Sequence, residues 1–169
     1  MSESTRNGSQ SRNAGGGGAS PGGWAMLALS TFRQSEKAVA LALEKGAQCG
    51  GLVIVNVADV NLARYVIGSE LELLPGLQDK CEEDLLKEHA QRAQAQVEAL
   101  AAQAKARGIP VKTHAQIGRF GLVCMEVIRQ EKPSVVITTR TRRPRWVKRL
   151  FGSPVDYLVA HAGCPVVEA

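Results

Sequence analysis

The sequence predicts an α/β domain of three layers, a five-stranded parallel sheet with helices on both faces. Three observations predict it. Short apolar runs alternate with helical stretches in the order β-α-β-α-β-α-β-α-β, and strands joined by helical crossovers lie parallel. The second run, Leu52-Val53-Ile54-Val55-Asn56-Val57, is almost continuously apolar, as a strand covered on both faces requires. The chain has 169 residues, 44% of them hydrophobic, enough for one domain with a core.

Residues 1–23 are rich in Gly, Ser and Asn and hold little that is apolar, so the expectation is a disordered tail followed by one domain over 24–169. Trp24 to Leu29 reads as the first strand. Thr31 and Gln34 form a capping-box pattern ahead of an Ala- and Leu-rich helix over Gln34 to Gln48, closed by Cys49-Gly50-Gly51. Leu52 to Val57 is the second strand. Residues 58–77, broken by Gly68 and Pro75-Gly76 but carrying Leu62, Tyr65, Val66 and Ile67, form a long connection with apolar side chains to pack. Gln78 to Arg107 is the longest helix. Its acids (Asp79, Glu82, Glu83, Asp84) gather at the start and its bases (Lys105, Arg107) at the end, in the sense the helix dipole favours. Gly108-Ile109-Pro110 ends it. Val111 to Ile117 is the third strand, Gly121 to Glu131 a helix, Val135 to Thr138 the fourth strand, Ser153 to His161 a short helix, and Pro165 to Glu168 the fifth strand.

Composition excludes several classes. The four cysteines (Cys49, Cys81, Cys124, Cys164) show no C-x-x-C, and the three histidines are not spaced as metal ligands, so no metal is expected. Spacing reveals no Ser/His/Asp or Cys/His arrangement, and the expectation is a protein that is not an enzyme. No stretch approaches the roughly 18 apolar residues of a membrane span. With no apolar leader at the N-terminus, the expected location is the cytoplasm, with no membrane partner. The net charge of +5 is concentrated in one place: Arg140, Arg142, Arg143, Arg145, Lys148 and Arg149 fall within ten residues that contain no acid.

That basic stretch leaves the carboxyl end of the fourth strand and leads to Gly152-Ser153-Pro154-Val155-Asp156, a helix start. Strand, loop and helix N-terminus in this order make an anion site. The same start has a purely structural explanation in Ser153 as N-cap, Pro154 at the first helical position and Asp156 closing an S-x-x-D box. His161-Ala162-Gly163-Cys164-Pro165-Val166-Val167 follows, with His161 placed to serve the last carbonyls of the helix.

The order and spacing of these segments resemble the universal stress protein family. That family shows an apolar strand, G-x-x-G, nine residues, G-[ST], a short helix and H-A-x-C-P-V. The resemblance covers residues 24–169. It implies a domain like those of the HUP group and adenine nucleotide alpha hydrolases, a homodimer and a role in stress response. It also implies a nucleotide site assembled from Ser30 at the end of the first strand, Val57 at the end of the second, Thr139, Arg140 and Arg142 in the loop, and Gly152, Ser153 and Val155 at the helix start. The chain departs from the pattern at three of these positions. Ser30 stands where the family has Asp, and Thr139 and Arg142 stand where it has the loop glycines. Glycine serves phosphate loops because it reaches positive φ and lets backbone N–H groups approach the anion. A β-branched Thr resists that conformation.

Three readings follow. The first is a non-enzymatic stress protein with a degenerate site and no cofactor. It acts through dimerisation at the C-terminal edge strand around Val166-Val167, which otherwise leaves an open edge, and through contacts with another protein. The second is an ATP-binding switch whose phosphate site is rebuilt from arginines, which grip phosphate with a bidentate fork. The third is a nucleic-acid binder using the 140–149 loop, where Trp146 and Phe151 interleave with the cations. A single short loop makes that the least favoured of the three.

Overall fold

The computed structural model describes residues 23–30, 35–61, 77–139 and 153–169, apart from the side chains of residues 77–79 and 81. The tail before Gly23, most of the 58–77 connection and the basic stretch with Gly152 lie outside these residues. Five strands are described: β1 (Ala25–Ser30), β2 (Leu52–Asp59), β3 (Val111–Gly118), β4 (Val135–Thr138) and β5 (Val166–Glu168). Four helices join them: α1 (Glu36–Cys49), α2 (Leu77–Ala106), α3 (Phe120–Glu131) and α4 (Pro154–His161). The strands form one parallel sheet in the order β3-β2-β1-β4-β5. The predicted fold class is therefore the observed one.

Alternation along the strands makes two apolar layers. Leu27, Leu29, Ile54 and Ile137 face α1 and α2, where they meet Ala42, Leu43, Val97 and Leu100. Met26, Val53, Val55 and Val136 face the other way, onto Phe120, Cys124 and Val127 of α3 and Leu158 of α4. All six residues of β1 and all eight of β2 are buried, the signature of inner strands in a parallel sheet. Each fully buried Leu, Ile, Val or Phe contributes roughly 1.5–3 kcal/mol of transfer free energy.

Local chemistry sets the boundaries and corrects several expected ones. Helix α1 starts at Glu36, not Gln34. Its N-cap is Ser35, whose Oγ accepts from the Ala38 amide at 3.3 Å. Thr31 and Gln34 lie outside the described residues. Gly50 at φ 93° closes α1 in the left-handed conformation that a glycine takes without strain. Strand β2 runs two residues beyond Val57. Ala58 and Asp59 pair with Ile117 and Gly118, and Asp59 Oδ1 then accepts from the Asn61 amide at 3.1 Å, turning the chain. The end of α2 is a Schellman motif, with Ile109 N bonded to Ala104 O and Gly108 N to Lys105 O. Helix α3 begins one residue earlier than expected because Phe120 is drawn fully into the core.

At the amino-terminal ends of the strands, Trp24 ties the sheet together. Its carbonyl accepts from the Ser134 amide at 2.8 Å, and its ring lies where a Cβ on Gly51 would be 2.5 Å away. Only glycine at 51 admits that ring.

Candidate functional site: the crevice between the first and fourth strands

The strand order reverses between β1 and β4, since β1 leads outward to β2 and β3 while β4 leads to β5. In doubly wound sheets, ligands bind beyond the carboxyl ends of the strands at such a switch point. The crevice is built from three neighbouring strand ends. Ser30 closes β1, opposite Val57 of β2. Thr138 closes β4, opposite Ala28, one residue along the chain from the start of the crevice at Thr139. Three of the expected site residues (Ser30, Val57 and Thr139) are thus brought to one edge of the sheet.

The hydrogen bonding there is uneven. Thr138 Oγ1 donates to the Ala28 carbonyl at 3.0 Å. Ser30 is wholly buried and Thr139 is 6% exposed, yet among the described residues neither hydroxyl has a hydrogen-bond partner. Asn56, also wholly buried, donates through Nδ2 to Gln96 Oε1 of α2 at 2.6 Å, while its Oδ1 has no partner among the described residues. Buried polar groups in folded proteins are almost always paired, and an unsatisfied one costs about 1–3 kcal/mol. Ser30 and Thr139 each keep a donor and acceptor capacity free. That chemistry suits the hydroxyls and ring nitrogens of a polar ligand.

The other side of the site is different. Ser153 is the N-cap of α4, its Oγ accepting from the Asp156 amide at 3.2 Å, with Pro154 in the first turn. The N-cap and first-turn proline parts of the structural explanation of this helix start therefore hold. The Asp156 carboxylate sits in that first turn and opposes a phosphate approaching the helix end. Val155 is 2% exposed, so its side chain is buried beneath the helix start. Among the described non-glycine residues, positive φ occurs at Lys132 alone, so Thr139 does not reproduce the conformation a loop glycine supplies. Arg140, Arg142 and Gly152 lie outside the described residues.

Other expectations meet their geometry elsewhere. His161 Nδ1 lies 2.8 Å from the Tyr157 carbonyl, serving the end of α4 as expected, and its ring stacks on Tyr157. His114, for which the sequence shows no partner, has one in Glu131, 17 residues later, at 3.3 Å. Glu131 also accepts from Lys112 Nζ at 2.6 Å, chiefly for which its carboxyl is held below the ordinary range. Lys112 Nζ in turn lies 4.7 Å from the centre of the Trp24 ring. This cluster was invisible in the sequence because Trp24 ahead of β1, Lys112 and His114 on β3 and Glu131 at the end of α3 share no common spacing. Burial, followed by the nearby Arg92 charge, pushes His89 below its usual value. Burial pushes the Cys164 thiol up, away from the thiolate a nucleophile needs. No group of three metal-ligating side chains occurs among the described residues, and no helix among them is long and apolar enough to cross a membrane.

Comparison with known proteins agrees with this architecture. The chain is similar in structure to the universal stress protein UspA from Lactobacillus plantarum (TM-score 0.62, 19% identity, 87% of this chain and 97% of that one). It is also similar to a protein of the universal stress protein family from Burkholderia pseudomallei (TM-score 0.55, 18% identity, 86% and 94%). A universal stress protein solved in complex with cAMP aligns with TM-score 0.51 and 13% identity over 89% of this chain and 98% of that one. At these identities the likeness is one of fold. A search of the curated proteins found no match. The universal stress protein family itself matches residues 26–167, from the second residue of β1 to the middle of β5, and the chain belongs to that family.

Proposed function

We propose that this protein is a non-enzymatic, nucleotide-responsive regulator of the stress response. A nucleotide occupies the β1–β4 crevice, and the bound state is passed on through protein contacts. The observation that carries this reading is the pair of buried, unpartnered hydroxyls of Ser30 and Thr139 at the ends of adjacent strands. A pocket abandoned as a relic has no reason to keep them, because each costs stability that a Val or Ala at the same place recovers. A structurally similar family member in complex with cAMP adds support. Of the readings drawn from the sequence, this one takes the binding switch from the second and the non-enzymatic role and protein contacts from the first. The test is calorimetric titration with MgATP, ADP, AMP and cAMP. Binding of one nucleotide per chain is the expected result. No heat at millimolar concentrations of all four overturns the reading and leaves protein contacts as the whole function.

The contact half of the proposal has its own observation. Val159 (55% exposed) on α4 and Val167 (37% exposed) on β5 are large apolar side chains open to solvent beside a three-residue edge strand. Pairing of this edge between two copies makes the homodimer, in the cytoplasm. Sedimentation of Val167→Lys tests it: the parent is expected as a dimer and the variant as a monomer.

A further inference from the structure

Asn56 is a polar residue at a place built for an apolar one. The other residues of β2 from Leu52 to Ala58 are all apolar and buried, and Asn56 is itself wholly buried among them. Leu52 and Ile54, on the same face of the strand, belong to the layer beneath α1 and α2. The bond from Asn56 Nδ2 to Gln96 Oε1 of α2, at 2.6 Å, holds the side chain on that face. A valine at 56 continues the layer and leaves nothing unpaired, whereas Asn56 keeps a buried oxygen, Oδ1, with no partner among the described residues.

Two features say what meets this oxygen. The first is the fixed orientation of the amide. Gln96 Oε1 is an acceptor, so Nδ2 faces it, and the group left over is an acceptor alone. The hydroxyls of Ser30 and Thr139 rotate and suit donors and acceptors alike. Asn56 Oδ1 suits a donor only. The second feature is its place in the sheet. Asn56 is opposite Leu29 of β1, and Ala28 is opposite Thr138 of β4, so one cross-strand row runs from Asn56 through Leu29 to Thr139. Asn56 and Thr139 end up two strand spacings apart, about 9.5 Å. The six cations of residues 140–149 follow Thr139 directly, at the β4 end of this row. A nucleotide with its phosphates at that end reaches β2 with its base.

We propose that Asn56 sets the base selectivity of the crevice: Oδ1 accepts a hydrogen bond from the exocyclic amino group of a purine, so an amino-bearing base is taken and its oxo counterpart is rejected. Gln96 is a positioning residue. It touches no ligand and holds the amide with its acceptor end presented. An oxo group at the same place sets two acceptors against each other and leaves Oδ1 unmet, the kind of mismatch by which buried polar groups discriminate strongly. This selectivity rests on nucleotide binding in the β1–β4 crevice, the reading proposed for the site.

The experiment is calorimetric titration of the full-length protein with MgATP and MgITP, which differ at the base by amino against oxo and share ribose and phosphates. MgATP is expected to bind at least tenfold tighter. In Gln96→Leu the amide is free to turn and offer Nδ2 to an oxo group, so the ratio of the two affinities is expected to fall to within about threefold. Gln96→Glu keeps an acceptor facing Nδ2 and is expected to keep the ratio above tenfold. An Asn56–Gln96 bond that only braces α2 against the sheet weakens both ligands alike on its loss and leaves the ratio unchanged. Asn56→Ala removes the oxygen, is also expected to level the ratio, and serves if Gln96→Leu does not fold. Equal affinity of the two triphosphates in the parent, or a ratio unchanged in folded Gln96→Leu or Asn56→Ala, overturns the selectivity and leaves nucleotide binding standing. No binding of either triphosphate at millimolar concentration overturns both.

Discussion

The same substitution at two adjacent residues should move stability in opposite directions. Thr138 and Thr139 are both buried at the end of β4, but Thr138 Oγ1 donates to the Ala28 carbonyl at 3.0 Å and Thr139 Oγ1 has no partner among the described residues. Val replaces the hydroxyl by a methyl of nearly the same size. At 138 the change removes a hydrogen bond with a net contribution of about 1 kcal/mol. At 139 it removes an unsatisfied buried group that costs about 1–3 kcal/mol, so the free protein gains about that amount. For a chain of this length 1 kcal/mol moves Tm by about 2–4 °C. Thr138→Val is expected to melt about 3 °C lower than the parent and Thr139→Val about 5 °C higher, a gap near 2.5 kcal/mol by urea unfolding with m unchanged. On the binding side, Thr139→Val is expected to weaken nucleotide about tenfold, the loss of one good hydrogen bond. If Thr139→Val proves as destabilising as Thr138→Val, its hydroxyl is satisfied in the free protein, and the argument for a waiting ligand site fails at its first step.

Three further changes test the surrounding chemistry. Ser153→Ala removes the cap on α4, whose Oγ accepts from Asp156 at 3.2 Å, and should cost about 1 kcal/mol by denaturant unfolding. His89 carries a folded pKa depressed by burial, so above about pH 6.5 it is neutral in both states and contributes nothing to the pH dependence. As pH falls below that value the unfolded chain takes up the proton first and stability drops until the folded pKa is passed; His89→Gln should flatten this segment of the stability–pH curve. Glu131 is shifted the other way in its consequence: its depressed pKa stabilises the fold above the ordinary carboxylate value of about 4.3 and loses that contribution as pH falls through the folded value. Glu131→Gln should therefore lose about 0.5–1 kcal/mol at pH 7 and show a shallower acid limb in a series of unfolding curves between pH 6 and 3.

The parallel sheet was legible because each strand announces itself locally, and the apolar run of β2 and the helical crossovers are sufficient for it; the order β3-β2-β1-β4-β5 is read from the structure. Element ends were less legible where the signal is shared by adjacent residues. Ser35 and Thr31 both suit an N-cap, and only packing decides that the helix enters at Glu36. The crevice was half legible. The family resemblance implied that Ser30, Val57 and Thr139 lie together, but whether a buried hydroxyl is satisfied depends on the carbonyl nearest to it in space. Thr138 and Thr139 look alike in sequence and differ only in that respect. The Glu131–Lys112–His114 cluster was not legible at all, since a pairing 17 or 19 residues apart leaves no periodic trace.

The contrast between the two sides of the crevice bears on what kind of ligand it grips, and how. On the β1 and β4 side the free groups are neutral hydroxyls. On the α4 side the N-terminus carries its own acid, Asp156, and a serine already committed to capping. Backbone glycine contacts at Thr139 are not in place. A nucleotide held here has its neutral part bound by short-range hydrogen bonds in a buried site, and these are insensitive to salt. On the proposed function its phosphates are met by side-chain cations, for which the six that the sequence concentrates between residues 140 and 149 are the candidates. Exposed charge pairs are screened as the Debye length falls from roughly 10 Å at 0.1 M to about 3 Å at 1 M salt. Adenosine affinity is therefore expected to stay constant within about twofold across that range, while ATP affinity falls toward it by tenfold or more, the equivalent of about 1.4 kcal/mol. Calorimetry of both ligands at the two salt concentrations makes the comparison. Parallel behaviour of the two ligands means that the phosphates are not gripped by arginines, and an ATP affinity that survives 1 M salt means that a backbone phosphate cradle persists despite Thr139.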